Sequence, residues 1–251
     1  MTASTTARGA NPYIESDIAE YYSHLDYGGT YGLAVRDLPD IVARHVTGTR
    51  ALDFACGVGR STRFLKSLGF DAVGVDISKP MLAHARRLDP AGEYHLVGDG
   101  DLEPVADRSF DLVLSAFPFG NTTSLDKVTS ILARLRAVLA PAGRLVVIEA
   151  TPDLYRHEWL SFSTAGFAEN ATAASGDSVR VAFRDRIDRP VVDVLWTDGD
   201  FRRCFAAAGL RPLEMLLPRG RDDDREPWVS ERAVAPWVVY VLDAPARPAP
   251  A

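Results

Sequence analysis

Ala51-Leu52-Asp53-Phe54-Ala55-Cys56-Gly57-Val58-Gly59 is a short apolar run that ends in a glycine-rich turn, and Ser61 to Leu68 after it repeats at helical spacing. A buried strand feeding such a turn and then a helix is the first half of a βα unit. The same alternation continues down the chain. Apolar runs at Ala72 to Val75, Tyr94 to Val97, Phe110 to Leu114 and Arg144 to Ile148 read as strands, with helices predicted at Lys79 to Leu88 and Leu125 to Leu139. Strands separated by helices predict a parallel sheet buried on both faces, and right-handed crossovers make it a doubly wound α/β fold. Further on, a helix at Asp200 to Ala208, ended by Gly209, precedes the last two predicted strands, Arg211 to Leu217 and Trp237 to Leu242.

Two segments interrupt the pattern. Before residue 50, Ile14, Ile18, Tyr21, Tyr22 and Leu25 share a helical face; a Gly-rich turn is expected at Tyr27 to Gly32 and a second helix at about Asp37 to His45. Residues 1–49 therefore read as a helical N-terminal lid with a hinge, and residues 50–251 as the main domain. After Glu149 the alternation breaks, and about 152–197 reads as a cap insertion rich in aromatics, with an antiparallel pair at Val179 to Phe183 and Val191 to Trp196. The Ala/Pro-rich end, Ala244 to Ala251, is expected to be disordered.

Composition narrows the function classes. The 251 residues are 47% hydrophobic and 25% charged, the average of a globular chain and too short for two large independent domains. Lys plus Arg is 28 against 34 Asp plus Glu, a net charge of −6, so no basic face argues for a nucleic-acid partner. The two cysteines, Cys56 and Cys204, form no framework spacing and fit a reducing, cytoplasmic setting. Met1 to Ala10 lacks the apolar core of a signal peptide, and no apolar run is long enough to span a membrane. The five histidines, His24, His45, His84, His95 and His157, show no metal-ligand spacing, and no metal is expected. A monomer or homodimer is expected.

The glycine turn presents free backbone N–H groups at a helix N-terminus, and three acids flank it: Asp53 before the turn, Asp76 at the end of the second strand and Asp99 after the third. An acid at the second strand's end suits ribose hydroxyls. A carboxylate directly before the loop would repel a pyrophosphate, and Thr62 stands where GxGxxG has its third glycine. The pattern therefore favours a ligand with positive charge near Asp53, and S-adenosylmethionine carries a sulfonium and an ammonium without phosphate. Simpler roles exist for each acid: an ion pair or cap for Asp53, a helix N-cap for Asp76, a turn for Asp99. Cys56 reads as a small packing residue.

Residues from about 50 to 150 resemble a class I S-adenosylmethionine-dependent methyltransferase. The resemblance rests on ALDFACGVG at 51–59, VGVDIS at 73–78 followed by Met81, GDGDLEP at 98–104, FDLVLS at 110–115 and LxPAGRLVV at 139–147. It implies a Rossmann-like, seven-stranded, mostly parallel sheet. It further implies that Ala55, Gly57 and Gly59 cradle the methionine half of the cofactor while Asp53 orients it. Asp76 would take the ribose hydroxyls, Ile77 and Met81 would flank the adenine, and Asp99 would accept from its amino group with Gly100, Asp101 and Leu102 nearby. Ser115 and Phe117 would line the wall beside the methyl, and Tyr22, Tyr31 and Arg36 from the lid would reach the cofactor's carboxylate. Ala55 departs from the family, which has glycine there, and could narrow the loop.

Methyl transfer needs alignment and exclusion of water more than acid or base catalysis. Phe117, Phe119, Tyr155, Trp159 and Trp196 are the expected walls of a small organic acceptor's pocket, each with core packing as the alternative. Asn121 is the candidate for positioning the acceptor and His157 for a general base, the latter equally readable as a surface histidine. Glu149 at the fifth strand's end is a substrate or structural carboxylate. The expected reaction is methyl transfer to an O, N or C nucleophile of a small molecule. The alternatives are attack on another carbon of the sulfonium, such as intramolecular cyclisation releasing 5′-methylthioadenosine, and a non-catalytic cofactor-binding module.

Overall fold

The computed structural model describes residues 15–186 and 189–245; Ile14 and most of the Ala/Pro-rich end lie outside the described residues. Three helices come first, α1 (Ser16–Ser23), α2 (Gly29–Val35) and α3 (Leu38–His45), followed by β1 (Arg50–Phe54), α4 (Arg60–Ser67), β2 (Asp71–Asp76), α5 (Lys79–Leu88) and β3 (Glu93–Leu96). The second half of the sheet is built from β4 (Phe110–Ala116), α6 (Leu125–Ala137) and β5 (Leu139–Ala150). Three short strands follow, β6 (Phe162–Ser163), β7 (Ser178–Phe183) and β8 (Val191–Val194), then α7 (Asp198–Ala207), β9 (Arg211–Leu216) and β10 (Trp237–Asp243).

The central sheet has seven strands in the order β3-β2-β1-β4-β5-β10-β9. β1 pairs in parallel with both β2 and β4, and only β10 runs antiparallel to its neighbours. The order reverses between β1 and β4, and in open α/β sheets the crevice outside the carboxyl ends at that switch point is where ligands bind. Alternate residues of each inner strand enter opposite cores. Leu52 and Phe54 pack with Val128, Leu132 and Phe205 on one face. Ala51, Leu112 and Leu114 pack with Leu38, Ile41 and Leu65 on the other. Burial on both faces is why these strands read as unbroken apolar runs.

One expectation fails. Gly29 to Gly32, expected in a turn, opens α2 instead, because Thr30, Leu33, Ala34 and Val35 are all buried and tertiary packing overrides glycine's poor helix propensity. Gly28, in extended conformation, is the helix's N-cap. β5 also begins five residues earlier than predicted, with a register shift opposite β4 between Phe110 and Leu112 that absorbs the Pro141-Ala142-Gly143 kink. The aromatic segment after β5 folds as a small antiparallel sheet, β6-β7-β8. No helix of the described residues is long and apolar enough to cross a membrane.

Candidate active site

Strain is concentrated at the switch point. Ala55 after β1 and Phe117 after β4 hold φ of 60° and 63°, the two non-glycine residues with positive φ among those described. Left-handed backbone at an L-residue costs about 1–2 kcal/mol and persists where surrounding structure imposes it, often at functional sites. Ala55→Gly is accordingly expected to raise stability by about 0.5–1 kcal/mol, partly offset by the glycine's greater freedom when unfolded. Urea midpoints of the two proteins test this; an unchanged or lower midpoint would contradict the strained assignment.

Gly57 (φ 53°) and Gly59 (φ 72°) continue the loop. A Cβ at Gly59 would stand 2.8 Å from the Tyr94 hydroxyl, whereas at Gly57 the nearest atom would be Met81 Sδ at 3.9 Å. The Gly57 edge of the loop therefore faces open space. Gly57 N–H donates to Asp76 Oδ2 and Ser78 N–H to Asp76 Oδ1, both at 2.7 Å, so the second strand's acid ties down the loop. Ser78, not Asp76, caps α5, accepting from Met81 N–H. Cys56 is buried among Leu82, Ala85 and Tyr94, as a packing residue.

Asp53 is fully buried; its Oδ2 accepts from the Ser61 and Thr62 hydroxyls at 2.7 and 2.6 Å. Its Oδ1 has no hydrogen-bond partner, and the Ser115 hydroxyl, one strand away, has none either. Burial pushes the Asp53 carboxyl up to about 7, outweighing the two hydroxyl donors. A raised carboxyl favours folding fully below its unfolded value near 4 and loses that contribution as pH rises through about 7. Asp53→Asn should therefore flatten a decline in stability between about pH 4 and 7, readable from urea midpoints across that range; an identical slope in the variant would remove Asp53 as its source.

A cavity of about 50 Å³ lies at the carboxyl ends of β4 and β5. Phe117 and Gly120 after β4, Glu149 on β5, Tyr155 after it, Asp193 on β8 and Tyr31 on α2 face it from five directions. Trp237, Phe162 and Phe183 complete the aromatic wall. Tyr31 stacks on Trp237 at 5.7 Å, and Phe117 meets Trp237 at 4.8 Å between ring centroids. Tyr22 joins cavity and loop: it lines the cavity and also packs on Val58 of the loop and Met81 of α5.

The glycine loop with its unsatisfied buried acid and the aromatic cavity are thus joined through Tyr22. A family model described as methyltransferase domain matches residues 52–147. A demethylmenaquinone methyltransferase of Thermus thermophilus is 42% identical over 55% of this chain and 64% of its own length, so the match spans less than two thirds of that relative. The dTDP-3-amino-3,4,6-trideoxy-alpha-D-glucopyranose N,N-dimethyltransferase of Streptomyces venezuelae is 29% identical over 82% of this chain and 96% of its own. The crystal structure of an S-adenosylmethionine-dependent methyltransferase from Clostridium acetobutylicum superposes with a TM-score of 0.62 at 13% identity, covering 90% of this chain and 95% of the other. Residues 52–147 are thus similar to the methyltransferase domain family, and the chain shares the fold of that solved S-adenosylmethionine-dependent methyltransferase.

The glycine loop fits S-adenosylmethionine as cofactor. Asp53 Oδ1 is an orphaned acceptor of the charge that an ammonium or sulfonium needs, and each Asp76 oxygen keeps a lone pair after its backbone bond. Ile77 is partly buried against the core and Met81 fully buried beside Tyr22. Gly100 holds φ 77°, where a Cβ would meet Ile131 at 2.9 Å, and Leu102 is buried.

Other expected site residues hold partners of their own. Arg36 is held by Asp37, Asp224 and the Arg219 carbonyl, bonded to the loop after β9 and not to the glycine loop. Arg60 lies at 4.5 Å over the Tyr27 ring and 5.0 Å over Tyr31, and Arg186 at 4.6 Å over Tyr21. For Arg60, its place directly after Gly59 was the available signal. Asp99 is exposed and paired with Lys127, and Asp101 with Arg134. Phe119 is fully buried against Phe201 in the core, and Trp159 is fully buried with its indole N–H on the Leu154 carbonyl. Neither faces the cavity. Trp196 donates to the Phe119 and Thr122 carbonyls and lines a smaller void behind it, while Tyr155 and Phe117 do line the main cavity. His157 sits at the surface 4.0 Å from Asp153, and Asn121 ends a short 3-10 turn; neither lines the cavity.

Proposed function

We propose that this methyltransferase moves the methyl group of S-adenosylmethionine to a small organic acceptor whose reacting end occupies the aromatic cavity. The observation that carries the reading is Tyr22, shared between the loop cluster of Val58 and Met81 and the cavity wall. Bound cofactor supplies an activated methyl on a sulfonium. The chain's part is alignment and exclusion of water. In this reading Asp53, Gly57 and Asp76 hold the cofactor, Ile77 and Met81 flank its adenine, and Phe117 beside Ser115 forms the wall next to the methyl.

Residues 1–49 act as a lid and about 152–197 as a cap on the domain at 50–251. In support, α1 docks on the loop and α5 through Ala19, and β7 contributes Phe183 to the cavity. The N-terminal helices are also fastened to the cap: the Thr30 hydroxyl donates to buried Glu231, which accepts the Leu160 N–H as well, and Ser161 N–H donates to Thr30.

The test is incubation of the protein with S-adenosylmethionine and panels of small amines, phenols and alcohols, followed by quantitation of nucleoside products. Acceptor-dependent S-adenosylhomocysteine is expected. Formation of 5′-methylthioadenosine above a protein-free control would contradict methyl transfer and establish attack on another carbon.

A further inference from the structure

Glu149 and Asp193 reach the cavity from opposite sides, β5 of the central sheet and β8 of the cap. Glu149 is 4% exposed, and one of its oxygens accepts the Phe119 N–H at 3.1 Å. Asp193 accepts the Tyr155 hydroxyl at 2.9 Å. Among the described residues neither acid has a Lys, Arg or His partner, and none of the cavity's walls carries a basic side chain. Gly120 keeps this approach clear: a Cβ there would stand 3.1 Å from Asp193 Oδ1.

Buried carboxyls without a cation are costly, and a rim of aromatic rings attracts cations as well. An oxygen acceptor would bring no charge to offset them, and an anionic one would be repelled. An ammonium answers both features.

Resting on the methyl-transfer reading above, we propose that the acceptor is a protonated amine, bound between Asp193 and Glu149, and that Asp193 takes the proton that frees its lone pair. The ammonium gives one proton to the Asp193 carboxylate, leaving a neutral amine and a carboxylic acid. The amine's lone pair then forms the N–C bond to the methyl while the C–S pair stays on sulfur, leaving an N-methylammonium. Asp193 returns its proton to solvent as product departs. Tyr155 positions Asp193 by donating to it, and Glu149 supplies the second acceptor for the ammonium. Burial pushes Asp193 up to about 6 and Glu149 well above the usual carboxylate range, with their mutual repulsion adding to Glu149. Near neutral pH Asp193 is ionised and carries the negative charge that matches the ammonium.

The experiment is an NMR titration of the full-length protein with n-propylamine and with n-propanol, its neutral counterpart. The ammonium is expected to bind at least about tenfold more tightly, and Asp193→Asn with Glu149→Gln, which keep the Tyr155 and Phe119 hydrogen bonds, should erase the preference. Equal binding of the two probes, or a preference kept in the double variant, would overturn the proposal. Wild type alone gives a second test that no folding defect affects. The titratable groups facing Asp193 are Tyr155, Glu149, Tyr31 and Tyr22, none of which gains positive charge on acidification. Lowering pH from about 8 to 5 should therefore weaken n-propylamine binding and leave n-propanol unchanged, and a preference equal at both values overturns it. S-adenosylmethionine titrated into the same sample separates the two readings. Cofactor binding without amine discrimination removes the amine assignment alone; absence of cofactor binding removes methyl transfer and the acceptor role together.

Discussion

Gly57→Val is expected to fold and to lose at least about a hundredfold in affinity for S-adenosylmethionine, close to 3 kcal/mol. Valine at φ 53° is a steric outlier whatever the space around it, so the loop must turn away from its present course. That turn carries off the Gly57 N–H that Asp76 now accepts at 2.7 Å, and places a branched side chain on the edge proposed for the cofactor. Folding survives because the added Cβ meets nothing nearer than Met81 Sδ at 3.9 Å. Contrast Gly74 in the middle of β2, where a Cβ would come within 3.0 Å of Tyr94, Cys56 and Thr62 and the sheet itself would suffer. Calorimetric titration beside a thermal melt separates the cases. Normal affinity in a folded Gly57→Val protein would falsify the loop assignment.

Asp76→Ala is expected to weaken cofactor binding by about 1–3 kcal/mol and also to lower stability. The affinity loss is that of charge-assisted hydrogen bonds to ribose hydroxyls. The stability loss has a separate cause: Gly57 N–H and Ser78 N–H lose the acceptor that joins the glycine loop to the start of α5. Asp76→Asn keeps an acceptor for one of them, so it should recover stability more than affinity. Titration and urea midpoints of the pair check this, and an Ala variant with wild-type affinity would remove Asp76 from the ribose.

The strands and the glycine loop were legible in the sequence because each depends on local chemistry: apolar runs buried on both faces, glycines at positive φ, and an acid at a strand end. Tyr155 and Phe117 were legible as cavity walls for a weaker reason, the aromatic character of their segments. That same character misplaced Phe119, Trp159 and Trp196, since composition does not say which face of a turn or cap a ring takes. α2 was hidden because glycine-rich sequence disfavours helix and only burial of Leu33 to Val35 enforces it. Asp193 had a signal, a lone acid in the run Val191-Val192-Asp193-Val194, but its partner Tyr155 is 38 residues away and the sequence does not join them. Arg36 was expected at the cofactor only through the resemblance; the fold shows it committed to Asp37 and Asp224, while Arg60 lies over the Tyr27 and Tyr31 rings.

Calorimetric titration of the full-length protein with S-adenosylmethionine tests the central claim most directly. Binding at one site per chain is expected, tightening between about pH 5.5 and 7.5 as Asp53 ionises and losing that pH dependence in Asp53→Asn. A folded protein that gives no binding signal across this range would contradict the account at its foundation.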